Sequence, residues 1–360
     1  MRFETSRALD AIEQRLTTDP LSAGAVVDLT DAARSADLDG GRPAALLRLG
    51  QFVDALSRQL GDNGIGLYAV AERGAMSDTD FTSNERMVLR RWSDDGLIEV
   101  LPAGGPVAAR VLEVSGLTGL PAIARRSEPS APGPLYLARS SAGGIALNLA
   151  PATGLSPRPH PATGRIWRCP QPSCPSFRPP SASGTGQSPP ALPSGAPVCP
   201  RHGDRLSDVG ARPWLVPMVV RIDGSVCARF VASSARRVVV GRSPDDRDGV
   251  TIGSWLDDEA TRRVSRTHLY FEAREGMLMV TDVSTNGAVA VTRSSAAQPP
   301  RRVNLTRDQP FVIGEWDEVE LHPGVTVGRA DRPPSGTPAA SSGSSVLQDA
   351  PTVAMRLPRS

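Results

Sequence analysis

From Pro217 to Arg329 the chain runs through short β-rich segments, PMVVRI, RRVVVG, THLYFEA, GMLMVTDV and GAVAV, each closed by turn residues. That spacing predicts an antiparallel β-sandwich. Upstream, residues 176–198 (SFRPPSASGTGQSPPALPSGAPV) are of low complexity and cannot bury enough surface to fold alone. The whole composition follows this split. Pro and Gly number 34 each and aromatics make up only 4%. Proline lacks the N–H that a sheet ladder needs, so much of it belongs in linkers. A chain of 360 residues has room for two or three domains, and one compact globule is not expected.

The N-terminal unit, residues 1–126, reads as a small helical or α+β domain without an assigned role. Apolar residues recur at helical spacing in Ala8 to Leu16, in Ala25 to Ala36, and in Pro43 to Leu60, where Leu46, Leu49, Val53, Leu56 and Leu60 line one side. Pro43 suits a first helical turn. Ile65 to Ala71 reads as a strand. Thr82 or Ser83 followed by Glu85 signals a helix start, and that helix runs to about Trp92 before Asp95-Gly96 turns the chain into the strand LIEVLP. Residues 127–165 read as linker, and residues 330–360 as a disordered tail.

Charge narrows the partners. Forty basic against 38 acidic residues leave a net charge of +2, so no global field points to nucleic acid. Every basic residue is Arg, which, with the Ala, Gly and Pro content, reads as codon usage in a GC-rich genome. The start, MRFETSRALDAIEQRL, is charged and holds no signal-peptide core. No stretch approaches ~20 consecutive apolar residues, so no membrane insertion is expected and the chain is placed in the cytoplasm. GxxxxGK[ST], GxSxG, HExxH and the kinase HRD/DFG set are all absent from the sequence, and no enzyme is expected.

Three of the four cysteines lie in the Pro-rich region. Cys169-x4-Cys174 is followed by Cys199-x2-His202 in the turn-rich contexts CPQPSC and CPRHG. Three soft thiolates and one imidazole are a ligand set for one structural zinc ion. The segment 166–206 resembles a degenerate zinc ribbon carrying a disordered insert. No CxxC pair supports redox chemistry, and no secretion signal supports disulfides. Cys227, in GSVCARF, reads as a small core residue, and His160 as solvated.

Within the β-rich unit three loop motifs come in order. Gly241-Arg242-Ser243 follows RRVVV, Ser265-Arg266-Thr267-His268 precedes LYFEA, and Asp282 to Gly287 (DVSTNG) lies between MLMVT and AVAV. Arg242 offers a planar fork of donors for phosphate oxygens, and the Ser265 hydroxyl adds a neutral one. His268 is placed to brace its loop. Asn286 carries both donor and acceptor, which suits an extended peptide's backbone. The set resembles the forkhead-associated (FHA) family, over about 113 residues of the chain. The resemblance implies a sandwich of roughly eleven strands that binds phosphothreonine peptides at the loops of one end. It further implies that Arg242 and Ser265 contact the phosphate, with Arg266 and Thr285 as added donors, that His268 is structural, and that Asn286 holds the peptide main chain. The acidic stretch SPDDRDGVTIGSWLDDEATRR departs from the pattern as an insertion that lengthens a loop.

The function expected from these residues is a non-catalytic phosphothreonine adaptor, with phosphorylated proteins and a Ser/Thr kinase as partners. In the tail, QDAPTVAMRLP resembles sites favoured by bacterial transmembrane Ser/Thr kinases and makes Thr352 a candidate acceptor; an ordinary disordered terminus fits the same residues. The alternative function is a phosphorylation-controlled DNA-binding transcriptional regulator. It rests on TSNERMVLRRWSDDGLIEVLPAG, which is loosely like a winged helix and carries Arg86, Arg90 and Arg91 on one helix.

Overall fold

The computed structural model describes residues 2–39, 41–62, 64–125, 133–141, 144–149, 160–177, 188–246, 249–274, 276–295 and 298–330. The first unit is built on one sheet. Its elements in chain order are α1 (Arg2–Glu13), β1 (Ala23–Asp28), α2 (Leu29–Ala33), α3 (Leu47–Leu60), β2 (Gly66–Glu72), α4 (Ser83–Asp94), β3 (Glu99–Leu101), α5 (Val107–Thr118), β4 (Ala122–Ala124), β5 (Leu135–Ser141) and β6 (Gly144–Leu149). The strands lie in the order β3-β2-β1-β4-β5-β6. All neighbours are parallel except β5 and β6, which form an antiparallel hairpin. Helices cover both faces, so strand side chains alternate between two buried layers. Ala25, Val27, Leu67 and Ala69 join the core under α1, α2, α3 and α4, while Val26, Tyr68 and Val70 join the core under α5.

This layout corrects four expectations. The N-terminal unit is a parallel α/β sheet, not a helical or α+β domain. Ala25 to Ala36 is a strand followed by a short helix, because Asp28 ends β1 and caps α2 by accepting from the Asp31 N–H at 3.0 Å. The domain does not stop at residue 126, since β5 and β6 lie inside the expected linker and complete the sheet. Helix α3 starts at Leu47, leaving Pro43 outside it. The Thr82 start is borne out in detail. The Thr82 hydroxyl accepts from the Glu85 N–H and the Glu85 carboxylate accepts from the Thr82 N–H, a complete capping box.

A small hairpin of β7 (Arg165–Arg168) and β8 (Ser207–Ala211) comes next. The sandwich then follows: β9 (Leu215–Ile222), β10 (Ser225–Ser233), β11 (Val238–Gly241), β12 (Val250–Thr251), α6 (Asp258–Arg263), β13 (Leu269–Arg274), β14 (Met277–Asp282), β15 (Val289–Thr292), β16 (Arg301–Asn304), β17 (Pro310–Ile313), β18 (Glu318–His322) and β19 (Val325–Arg329). One sheet has the order β10-β9-β19-β18-β15-β16 and the other β12-β11-β13-β14-β17. Leu269, Phe271, Leu278, Val280, Val327 and Val220 fill the layer between them. The acidic insertion is not a bare loop, because it contains β12 and α6.

The units touch. Asp62, buried at the end of α3, pairs with Arg229 on β10 at 2.6 Å, and its backbone bridges to Val226. Residues 188–192, within the low-complexity stretch, are docked on the first unit. Arg110 on α5 donates to the carbonyls of Pro189 and Pro190 at 2.6 and 3.1 Å, and Glu113 accepts from the Leu192 N–H at 2.6 Å. Among the described residues no helix is long and apolar enough to cross a membrane.

Candidate functional site

At the sandwich site the three motif loops meet. Gly241 ends β11 where the next loop passes so close that a Cβ there would lie 1.9 Å from the Arg266 carbonyl oxygen. Glycine is required by that approach rather than by any unusual φ. The Arg242 and Ser243 N–H groups donate to the carbonyls of Ser265 and Arg266, at 3.0 and 3.3 Å, and lock the two loops together. The Arg242 guanidinium donates to the Thr261 carbonyl at 3.3 Å through Nη1, and its buried Nε has no partner among the described residues. Arg242, Ser243, Asp245, Gly253, Thr261 and Arg266 line a cavity of about 350 Å³.

The second and third loops are joined through Ser265. Its hydroxyl lies 3.0 Å from the Thr285 hydroxyl and accepts from the Thr285 N–H at 3.1 Å. His268 is fully buried beneath them. Its Nδ1 accepts from the Ser265 N–H at 3.1 Å, and its Nε2 faces the Gly287 carbonyl at 3.3 Å, which fixes the neutral tautomer with the proton on Nε2. Burial pushes its pKa down, against the opposing pull of the Asp282 carboxylate and the Gly287 carbonyl. Asp282, also buried, accepts from the N–H groups of Ser284 and Ala288 at 2.9 and 3.0 Å, while the Ser284 hydroxyl accepts from Gly287 N–H at 2.8 Å. These bonds hold Gly287 at φ +83°, a conformation that favours glycine, and present Thr285 and Asn286 to solvent. Asn286 Nδ2 donates to the Arg263 carbonyl at 2.7 Å.

The structure thus brings together Arg242, Ser265, Arg266, His268, Thr285 and Asn286. Sequence reasoning missed what surrounds them. The Asp-x-Ser at 282–284 is a legible turn signal, and Asp257 before α6 is a legible helix cap. Thr352 lies outside the described residues. The winged-helix alternative loses its basis, because α4 packs on the parallel sheet and its arginines have intrachain partners. Arg86 donates to Phe81 O at 2.7 Å, Arg90 donates to Met76 O at 3.2 Å, and Arg91 pairs with Glu13.

The second cluster joins the two cysteine pairs. Cys169 follows β7, and Cys199 precedes β8 on a strand-like stretch where Val198 pairs with Ala191 and Arg205. Tight turns shape both loops: Cys174 N–H donates to Gln171 O at 3.0 Å, and Gly203 N–H donates to Cys199 O at 2.7 Å. The Sγ atoms of Cys169 and Cys199 each lie 3.5 Å from His202 Nδ1, and those of Cys174 and Cys199 lie 3.7 Å apart. All four ligand atoms fall within 4.8 Å of one another, close enough to hold a metal ion. The three cysteines are buried, and Leu206, Trp167 and Phe177 pack around them. The Cys174 thiol is lowered to about 5, chiefly by the hydrogen bond with Cys199. His160 is exposed, as expected, with its Nδ1 accepting from the Ala162 N–H at 3.1 Å; the expectation for Cys227 changes, since it is half-buried on β10 rather than in the core.

No protein-family model matches the chain, and neither does any curated protein. Solved structures similar to it include the MEK1 FHA domain, at 16% identity and a TM-score of 0.24, spanning 32% of this chain and 87% of that one. The FHA domain of human APLF in complex with an XRCC1 bisphospho peptide is similar at 18% identity and a TM-score of 0.21, over 31% of this chain and 96% of that one. Mycobacterium tuberculosis Rv1747 FHA-1 is similar at 20% identity and a TM-score of 0.21, over 32% of this chain and 98% of that one. Each likeness is to an FHA domain and covers about a third of this chain.

Proposed function

We propose that the C-terminal sandwich binds peptides carrying phosphothreonine and that the protein acts as a non-catalytic adaptor in Ser/Thr kinase signalling. The observation that carries this reading is the loop arrangement itself. A half-buried Arg242 with an unpartnered Nε stands beside half-buried Ser265 and exposed Thr285 and Asn286, all held from beneath by buried His268 and Asp282. A phosphorylated threonine brings about −1.5 to −2 charge and three acceptor oxygens, which match a guanidinium and hydroxyl donors. A protein kinase acting on threonine must supply such a partner. Titration calorimetry with matched phosphorylated and unphosphorylated peptides tests the reading. The phosphorylated peptide binds and the other does not, and Arg242→Ala lowers affinity about ten- to a hundredfold, the effect of losing a charge-assisted contact to a charged group. Equal binding of the two peptides overturns it.

The cysteine cluster is assigned, in the same proposal, to one structural zinc ion. A tetrahedron with Zn–S of about 2.3 Å and Zn–N of about 2.0–2.1 Å has edges of roughly 3.8 Å between sulfurs and roughly 3.6 Å between sulfur and nitrogen. The observed 3.7 Å and 3.5 Å separations fit those edges. Cys169, Cys174, Cys199 and His202 form a closed set, which is the pattern of a structural rather than a catalytic ion.

A further inference from the structure

Helix α6 ends between the two residues that would grip the two halves of a phosphopeptide. A helix leaves its last carbonyls without intrahelical partners. Here the Thr261 carbonyl accepts from Arg242 Nη1 at 3.3 Å, and the Arg263 carbonyl accepts from Asn286 Nδ2 at 2.7 Å. Arg242 stands on the loop after β11 and Asn286 on the loop after β14, so they share no element. The last turn of α6 is a common holder for both.

The helix and the segment leading into it are fixed at three points. Ala260 and Val264 are buried in the sandwich core, at 5% and 1% exposure. In the segment that leads into it, the Gly253 N–H donates to the Arg242 carbonyl at 3.1 Å, and a Cβ at Gly253 would lie 2.4 Å from that oxygen. At its start, the exposed Asp257 carboxylate accepts from the Ala260 N–H at 2.7 Å. A helix of six residues is too short to persist by propensity, so it depends on its cap and its packing.

We infer that α6, capped by Asp257, positions Arg242 and Asn286 relative to each other and so sets the spacing between the phosphate and the peptide main chain that the site accepts. Asp257 is a positioning residue. It touches neither Arg242 nor Asn286 through any hydrogen bond or ion pair of its own among the described contacts, and acts through the helix. The inference rests on the phosphothreonine reading above and adds to it a reason for the acidic insertion. Two side-chain grips on one rigid turn favour a ligand that offers both groups at a fixed distance. A phosphate group without a peptide backbone engages only the arginine side.

The test uses the full-length protein and three variants: Asp257→Ala, which loses the cap, Asp257→Ser, which keeps a capping oxygen, and Arg242→Ala. Each is titrated with a phosphothreonine peptide, its unphosphorylated counterpart, and phenyl phosphate as a competitor that lacks a backbone. Loss of a cap is expected to weaken the peptide by about fivefold. Asp257→Ser restores wild-type affinity, and competition by phenyl phosphate changes less than peptide binding does. A site that is merely less well folded would lose both ligands together. If wild type prefers the phosphorylated peptide but Asp257→Ala binds it equally well, the positioning role is wrong while the phosphothreonine reading stands. If wild type does not distinguish the two peptides, that reading fails and the positioning role falls with it.

Discussion

Replacing His268 by alanine removes the support beneath the candidate site, and the cost can be built from its contacts. The ring is fully buried and holds two loops, accepting from the Ser265 N–H and donating to the Gly287 carbonyl. Two neutral hydrogen bonds contribute about 1 kcal/mol each. Emptying most of a buried side chain adds roughly 1–2 kcal/mol. The sum, roughly 3–4 kcal/mol, corresponds to a fall in melting temperature of roughly 12–16 °C for a domain of this size. Because the chain has more than one folding unit, hydrogen exchange of β13 and β14 is the better readout than a whole-protein melt. Phosphopeptide affinity falls as well, since Ser265 loses the bond that orients it towards Thr285. The pH dependence gives a second check. Burial lowers the His268 pKa in the folded state. The unfolded chain therefore takes up a proton near pH 6.5 that the folded chain does not. Stability contributed by neutral His268 is full above that pH and is lost as pH falls from about 6.5 towards the lower folded value. Without the imidazole that part of the slope disappears. Unfolding of His268→Ala within about 1 kcal/mol of wild type, as for a control substitution at exposed Met277, would refute the bracing argument.

Two further outcomes follow from the geometry. Protein purified without a metal-binding tag carries about one equivalent of zinc by elemental analysis, and a Cys169→Ser, Cys199→Ser double variant loses it; undiminished metal in that variant would contradict the ligand assignment. Gly241→Ala places a Cβ against the Arg266 carbonyl; because only backbone stands in the way, the loop must move, and peptide affinity falls at least about tenfold with a stability loss of about 2 kcal/mol or more, read by calorimetry and hydrogen exchange.

The sandwich was legible because one of its faces is buried and its strands are cut by Gly, Asp and Ser turns, as with the alternation of Leu269, Phe271 and Ala273 inward against Glu272 and Arg274. The motif loops were legible because residue type alone carries their chemistry. The first unit was not, for a physical reason. Strands buried on both faces, such as AGAVVD, show no period of two, and the apolar run of β1 continues into α2 without a break. Strands β5 and β6 sit among Ser, Pro and Gly, and the hairpin they form joins the sheet only through the pairing of β5 with β4. In α5, Val107, Val111, Val114 and Leu117 do recur at helical spacing, so that helix was within reach. The meeting of Thr261 with Arg242 and of Arg263 with Asn286 had no sequence signal, because a backbone carbonyl carries no residue identity.

The contact between Asp62 and β10 bears on how the sandwich behaves when it stands alone. Strand β10 is an outer strand of its sheet, and outer strands offer unpaired N–H and C=O groups to any other chain. In the intact protein the start of that edge is occupied: Asp62 bridges to Val226, the Val226 N–H donates to Gly61 O at 3.4 Å, and the Asp62 carboxylate takes up Arg229. Cut free of the first unit, the sandwich would keep its motif loops but expose the bare edge with an arginine deprived of its anion. The first unit thus covers the start of that edge, and a fragment made for peptide work will need it blunted, for instance by a charged or proline residue at Val226.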